Sequence, residues 1–144
     1  MLTQGATNTF KVGLATGAFD FAVQSFKIAL FTGNANLGPD TAAYSSGMPG
    51  EVVAPGYTAG GQFLTVTQVP TIGNQTGSTA AAYWSFANVT WNASLTARGA
   101  LIYLATGGQT SVCVLDFGSD KTSTTTFTVQ FPISAPTTAI LRIA

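Results

Sequence analysis

Histidine is absent from the 144 residues, and cysteine occurs once. A Ser-His-Asp or Cys-His nucleophile system is thereby excluded, along with imidazole as a zinc ligand. A Cys-rich metal site and an intramolecular disulfide are excluded too. The lone Cys113, inside Val112-Cys113-Val114, reads as a small buried apolar residue. Charge is equally scarce. Five Lys and Arg balance five Asp and Glu, so 7% of residues are charged and the formal net charge is zero, where about 25% charged is usual. Long hydrophobic runs are missing as well. Runs such as those at 28–31, 100–105 and 112–115 fall far short of the roughly 20 residues that span a bilayer. The first five residues have neither a basic nor an apolar leader segment. No signal peptide is read there, and synthesis inside the cell is expected.

These shortages narrow the partners. Nucleic-acid binders gather basic side chains against phosphates, whereas Lys11, Lys27, Arg98, Lys121 and Arg142 are scattered singly. Nothing resembles a polybasic membrane segment. Neither nucleic acid nor membrane is expected as a partner. The polar surface must consist of Thr, Ser, Asn, Gln and backbone, and a neutral monomer of that kind has little protection against self-association.

What is present is a series of short alternating segments. Residues 1–9 are small and polar and read as an N-terminal arm, followed by a single domain over 10–144. Residues 8–14 fit a short helix capped by Thr7 or Asn8 and stopped at Gly17. They also fit a strand through Phe10, Val12 and Leu14; the helix is preferred. The clearest strand is 25–32, with Phe26, Ile28 and Leu30 on one face and Lys27, Ala29 and Phe31 on the other. Residues 33–61, rich in Gly, Pro, Ala and Ser, form a long connection of the kind that is usually functional or disordered. Further strands are expected at 62–69, 80–87, 89–91, 99–106, 111–117, 125–131 and 139–143, with turns at Gly73-Asn74, Gly107-Gly108 and Gly118. Short strands at this spacing predict an all-β domain, a β-sandwich with jelly-roll or immunoglobulin-like connections.

Little chemistry is on offer. Asp116 and Asp120 flank Phe117-Gly118-Ser119 and could serve as a carboxylate pair or hold a cation. The simpler reading is a tight connection with a solvated Asp120–Lys121 pair. Gly60-Gly61 and Gly107-Gly108 lack the Gly-Lys-Ser/Thr that completes a phosphate loop. The sequons at Asn74, Asn88 and Asn92 carry almost no weight in a chain so rich in Thr and Ser. Tyr83, Trp84, Trp91 and Tyr103 could form a stacking platform for sugars or bases, although alternating aromatics on strands are more often core. No catalytic residue, cofactor or metal is assigned, and the chain is not expected to be an enzyme.

Four stretches carry a resemblance: Ser25-Phe26-Lys27-Ile28-Ala29-Leu30-Phe31-Thr32, Pro55-Gly56-Tyr57-Thr58-Ala59-Gly60-Gly61-Gln62, Thr96-Ala97-Arg98-Gly99-Ala100-Leu101-Ile102-Tyr103, and Val114-Leu115-Asp116-Phe117-Gly118-Ser119-Asp120-Lys121 with Phe127-Thr128-Val129-Gln130-Phe131-Pro132 after it. With these the chain resembles small virion structural proteins of tailed bacteriophages, most of all capsid cement or decoration proteins. The resemblance implies a jelly-roll-like β-sandwich on the capsid surface that bridges major capsid proteins and contacts copies of itself, often through an N-terminal arm. The expected assembly contacts are the apolar loop residues Phe19, Phe21, Tyr44, Met48, Val52 and Val53, each of which could instead belong to the core. A second reading is a tail-fibre or baseplate component that binds a host glycan. A third is a glycan-cleaving enzyme using Asp116 or Asp120.

Overall fold

The computed structural model of the protein describes residues 1–74 and 80–143. Its elements in chain order are β1 (Gly5–Ala6), α1 (Asn8–Thr16), β2 (Phe26–Phe31), β3 (Gln62–Leu64), β4 (Val66–Asn74), β5 (Ala80–Phe86), β6 (Val89–Trp91), β7 (Thr96–Leu104), β8 (Ser111–Thr122), β9 (Phe127–Val129) and β10 (Leu141–Ile143). Among the described residues the architecture is all-β with one short helix, and three antiparallel sheets form, in the orders β1-β8-β7-β2-β3, β10-β5-β4 and β6-β9.

The five-stranded sheet is central, and the period of two decides what each of its faces meets. Phe26, Ile28 and Leu30 of β2 lie beside Leu104, Ile102 and Ala100 of β7. This face packs on Trp84, Phe86, Val89, Trp91, Phe127, Val129 and Leu141 from the two smaller sheets. The opposite face carries Ala29, Phe31, Leu101, Tyr103 and Val114, and it is apolar too. A sheet with two apolar faces needs two covers. The second cover is the long connection 33–61, which lays Ala35, Leu37 and Tyr44 over that face with Met48 packed against them. Its length thus serves burial.

Residues 1–9 do not stand apart as an arm. Leu2 is buried in this second apolar layer. Thr3 N donates to Leu37 O at 2.8 Å, Leu37 N donates to Met1 O at 3.0 Å, and β1 pairs with Val114 and Cys113 of β8. An apolar residue at position 2 and a free edge on β8 give the segment somewhere to go. The helix forms where expected. Thr7 caps it by accepting from Phe10 N at 3.3 Å, and Gly17 closes it at φ +75, a left-handed conformation that glycine adopts without strain. Thr7 Oγ1 also lies 3.0 Å from Ser111 O, fastening the helix start to β8.

Several boundaries differ from the sequence expectation, among them β7 (Thr96–Leu104), β9 (Phe127–Val129) and β10 (Leu141–Ile143), and three of the differences bear on the fold. The segment 62–69 divides at Thr65, so that β3 joins the central sheet and β4 the three-stranded one; the chain crosses between layers there. Gly73 and Asn74 are still ladder residues, paired with Ala81 and Ala80. Strand β8 does not end at Gly118 but runs to Thr122. It absorbs the extra length as a bulge, because Gly99 pairs with Asp116 while Ala97 pairs with Lys121.

Candidate functional site

The most connected carboxylate among the described residues is Glu51, which sequence reading did not single out. It lies half-buried in the long connection. Its Oε2 accepts from Tyr44 Oη at 2.9 Å, and its Oε1 accepts from Tyr57 Oη at 3.0 Å and from Gly60 N at 2.6 Å. The tyrosines carry this knot into the sheet. Leu30 N of β2 donates to Tyr57 Oη at 2.9 Å, Tyr103 Oη of β7 donates to Gly60 O at 2.7 Å, and the rings of Tyr44 and Tyr103 stack at 4.5 Å. A carboxylate with three donors is strongly satisfied. Chemically the knot is a clamp: both oxygens are occupied from within the chain.

The clamp has a pH signature. Burial, with the Glu51 charge behind it, pushes Tyr103 up to about 12. Burial and the hydrogen bond to Glu51 raise Tyr44, and burial raises Tyr57 against the opposing hydrogen bond from Leu30. In the unfolded chain a tyrosine ionises near its ordinary value of about 10. The unfolded state therefore sheds these protons first, so stability is full below pH of about 10 and falls as pH rises above it. Alkaline titration followed by tyrosinate absorbance and circular dichroism should show the two signals changing together. Normal, gradual ionisation with the fold intact would contradict this placement of the hydroxyls.

Asp116 and Asp120 do not close a tight turn. They bound the bulge in β8, opposite Arg98. Arg98 Nε donates to Asp116 Oδ1 at 2.9 Å, and Gly118 N donates to the same oxygen at 2.9 Å. These two hydrogen bonds hold the Asp116 carboxyl below its usual range. Lys121 Nζ donates to Ser119 Oγ at 2.9 Å. The geometry is that of a braced bulge, with Asp116 committed to Arg98. The proposed stacking platform is also disassembled by burial: Trp84, Trp91 and Tyr103 lie inside the core, and Tyr83 is half-buried. Cys113 is buried, which pushes its thiol up to about 12 and keeps it neutral.

Of the six expected assembly contacts, Phe21, Tyr44 and Val52 are core residues. Phe21 stacks on Phe26 at 4.3 Å. Phe19 and Met48 are half-buried and packed against the two apolar layers. Only Val53 is fully available, at 96% exposure. It sits beside a cleft of about 370 Å³ lined by Thr32, Ala54, Ser94, Thr96 and Thr122. No protein-family description, curated protein or solved structure matches this chain. Its surface has to be read from its own residues.

That surface carries apolar side chains that sequence reading did not single out as contacts. Ile133 is 82% exposed and Ile72 is 76% exposed, with Val23, Phe63, Val12 and Ile143 also open to solvent. Lys27 Nζ lies 5.1 Å above the Phe63 ring, which partly shields that residue. Ile72 and Ile143 lie on the same sheet face as the buried Trp84 and Leu141, two residues farther along the ladder. Only the extent of the opposite layer decides whether such positions are covered.

Proposed function

We propose that the chain is a non-enzymatic structural component of a tailed-bacteriophage virion. In this reading it is a cement or decoration protein that binds the capsid surface, bridges major capsid proteins and contacts copies of itself. The observation that carries the reading is the exterior. A surface of 7281 Å² bears only ten Lys, Arg, Asp and Glu side chains, and nearly naked aliphatic residues such as Val53 and Ile133 stand on it. Covering such a surface costs little charge desolvation. Burying one Val or Ile side chain returns about 1.5–3 kcal/mol. Interfaces of roughly 800 Å² per partner, repeated around a shell, add through multivalency. The resemblance of the four segments supports the same reading, and jelly-roll connectivity belongs to this proposal.

Val53 beside its cleft is the contact residue that this reading retains. Particles stripped of the protein should rebind it, and Val53→Asp should weaken rebinding roughly tenfold, the equivalent of losing one buried aliphatic contact, with an unchanged circular dichroism spectrum. Cryo-electron microscopy of the particle should find the protein on the shell in copies on the order of hundreds, as multivalent cementing requires. A location on the tail, or a handful of copies, would overturn the proposal.

A further inference from the structure

The three-stranded sheet extends its inward face beyond the layer that covers it. Trp84 of β5 and Leu141 of β10 are paired and buried. Two residues along each strand on the same face, Ala82 pairs with Ile143, and on its other side Ala82 pairs with Ile72 of β4. Ile143, Ala82 and Ile72 therefore form one row across three strands. Ala82 is half-buried, whereas Ile72 is 76% and Ile143 52% exposed. Arg142, the one charged residue in these three strands, pairs with Tyr83 and so faces the other way.

Among the described residues, the row reaches a free edge on each side, at β10 and at β4, and β4 is the longer, with 9 residues against 3. On its outer side, no described residue pairs with β4. The first half of that edge is protected by Pro70 and by irregularities between Val66 and Thr71, but the register from Thr71 to Gly73 is regular. A regular, uncharged edge beside an apolar row is a template for another strand. Nothing there selects a charged partner, and two copies of a chain with zero net charge meet without net Coulomb repulsion. Antiparallel pairing about a two-fold axis is open to any single free edge and presents the same surface from both sides.

We infer that the edge Thr71–Ile72–Gly73 pairs with the same edge of a second copy. The pairing joins the two sheets into one and sets Ile72 against its counterpart at the centre of a doubled apolar row. The inference takes up the self-association within the proposed function and fixes its surface, without depending on a capsid.

The test is sedimentation velocity on the full chain over a wide concentration range. The parent should dimerise reversibly. Ile72→Lys, which places two ammonium groups together at the axis, should raise the dimer dissociation constant at least about tenfold. Ile133→Lys, equally exposed but off the row, should leave it unchanged. Amide hydrogen exchange on the parent supplies a readout free of mutation, in which protection within 71–73 should rise with concentration. A parent monomeric throughout, an Ile72→Lys protein as dimeric as the parent, or protection independent of concentration would each overturn the inference. Binding to stripped particles, measured separately, tells the two proposals apart: shell binding by an obligate monomer removes this one alone, and dimers indifferent to the shell remove only the other.

Discussion

Replacing Glu51 with alanine is expected to destabilise the fold by about 3 kcal/mol and lower the melting temperature by roughly 10 °C. The carboxylate accepts from Tyr44, Tyr57 and Gly60, and its loss strands donors that burial keeps from water. A donor left without an acceptor costs more than the bond itself was worth. The partial exposure of Glu51 keeps the figure below the sum for three fully buried donors. Glu51→Gln should lose less, because one side-chain oxygen can still accept. The damage should be local at first: the connection 33–61 lifts, uncovering Phe31, Leu101 and Val114 beneath it. Hydrogen exchange would show residues 44–60 opening before the central sheet. An alanine variant that melts like the parent would mean that the clamp contributes nothing.

Gly61→Ala should be more damaging still. Gly61 has φ +68, and a methyl group there would run into the backbone carbonyl of Ile28. That carbonyl belongs to strand β2 of the central sheet and cannot yield as the end of a flexible side chain would. The left-handed conformation alone costs a non-glycine residue about 1–2 kcal/mol, and the backbone clash brings the total to roughly 4 kcal/mol or more. The expected outcome is a protein that accumulates poorly or melts far below the parent. Gly107→Ala is the control, since its φ is +61 but open space surrounds it; it should show the conformational cost alone. Equal effects at both positions would show that the approach to Ile28 is not what matters.

The contrast between these glycines marks how far the sequence could be read. Gly60-Gly61 and Gly107-Gly108 look alike as turn dipeptides, and the requirement at 61 comes from a strand that lies thirty-odd positions earlier. Strand β2 was legible to within a residue at each end, because the period of two over Phe26 to Phe31 also states which residues share a face. The helix was legible in part: Thr7 or Asn8 and Gly17 marked its ends, while Phe10, Val12 and Leu14 fitted a strand as well. The second apolar face of β2 was visible too, in Ala29 and Phe31, but its cover was not. Residues 33–61 contain few large side chains, and Leu37 and Tyr44 acquire their role only against Leu101 and Tyr103.

The site was less legible than the fold. Apolar residues in loops were candidates for contact, yet Phe21, Tyr44 and Val52 proved to be core. Conversely, Ile72, just beyond the expected strand 62–69, and Ile143, at the end of the expected strand 139–143, lie on the face of the buried Trp84 and Leu141 and yet stand in solvent. One-dimensional periodicity reports which side of a sheet a residue takes; it does not report where the opposing layer stops. Glu51 had no local signal at all. Its three donors come from Tyr44, Tyr57 and Gly60 in a connection without regular structure, and only the finished wrap gathers them.

The partnership of β2 with β7 carries a kinetic consequence. Ile28 lies against Ile102 and Phe31 against Gly99, so the middle of the central sheet joins parts of the chain about seventy residues apart. Closing a loop of that length costs entropy before any contact repays it. Nearer neighbours, such as β7 with β8 or β4 with β5, can zip early as hairpins, but neither finds its cover until the first third of the chain returns. During that interval the apolar faces on both hairpins are bare. In a crowded cell, nascent copies are most at risk of sticking to one another at that stage, before there is any mature surface to recognise.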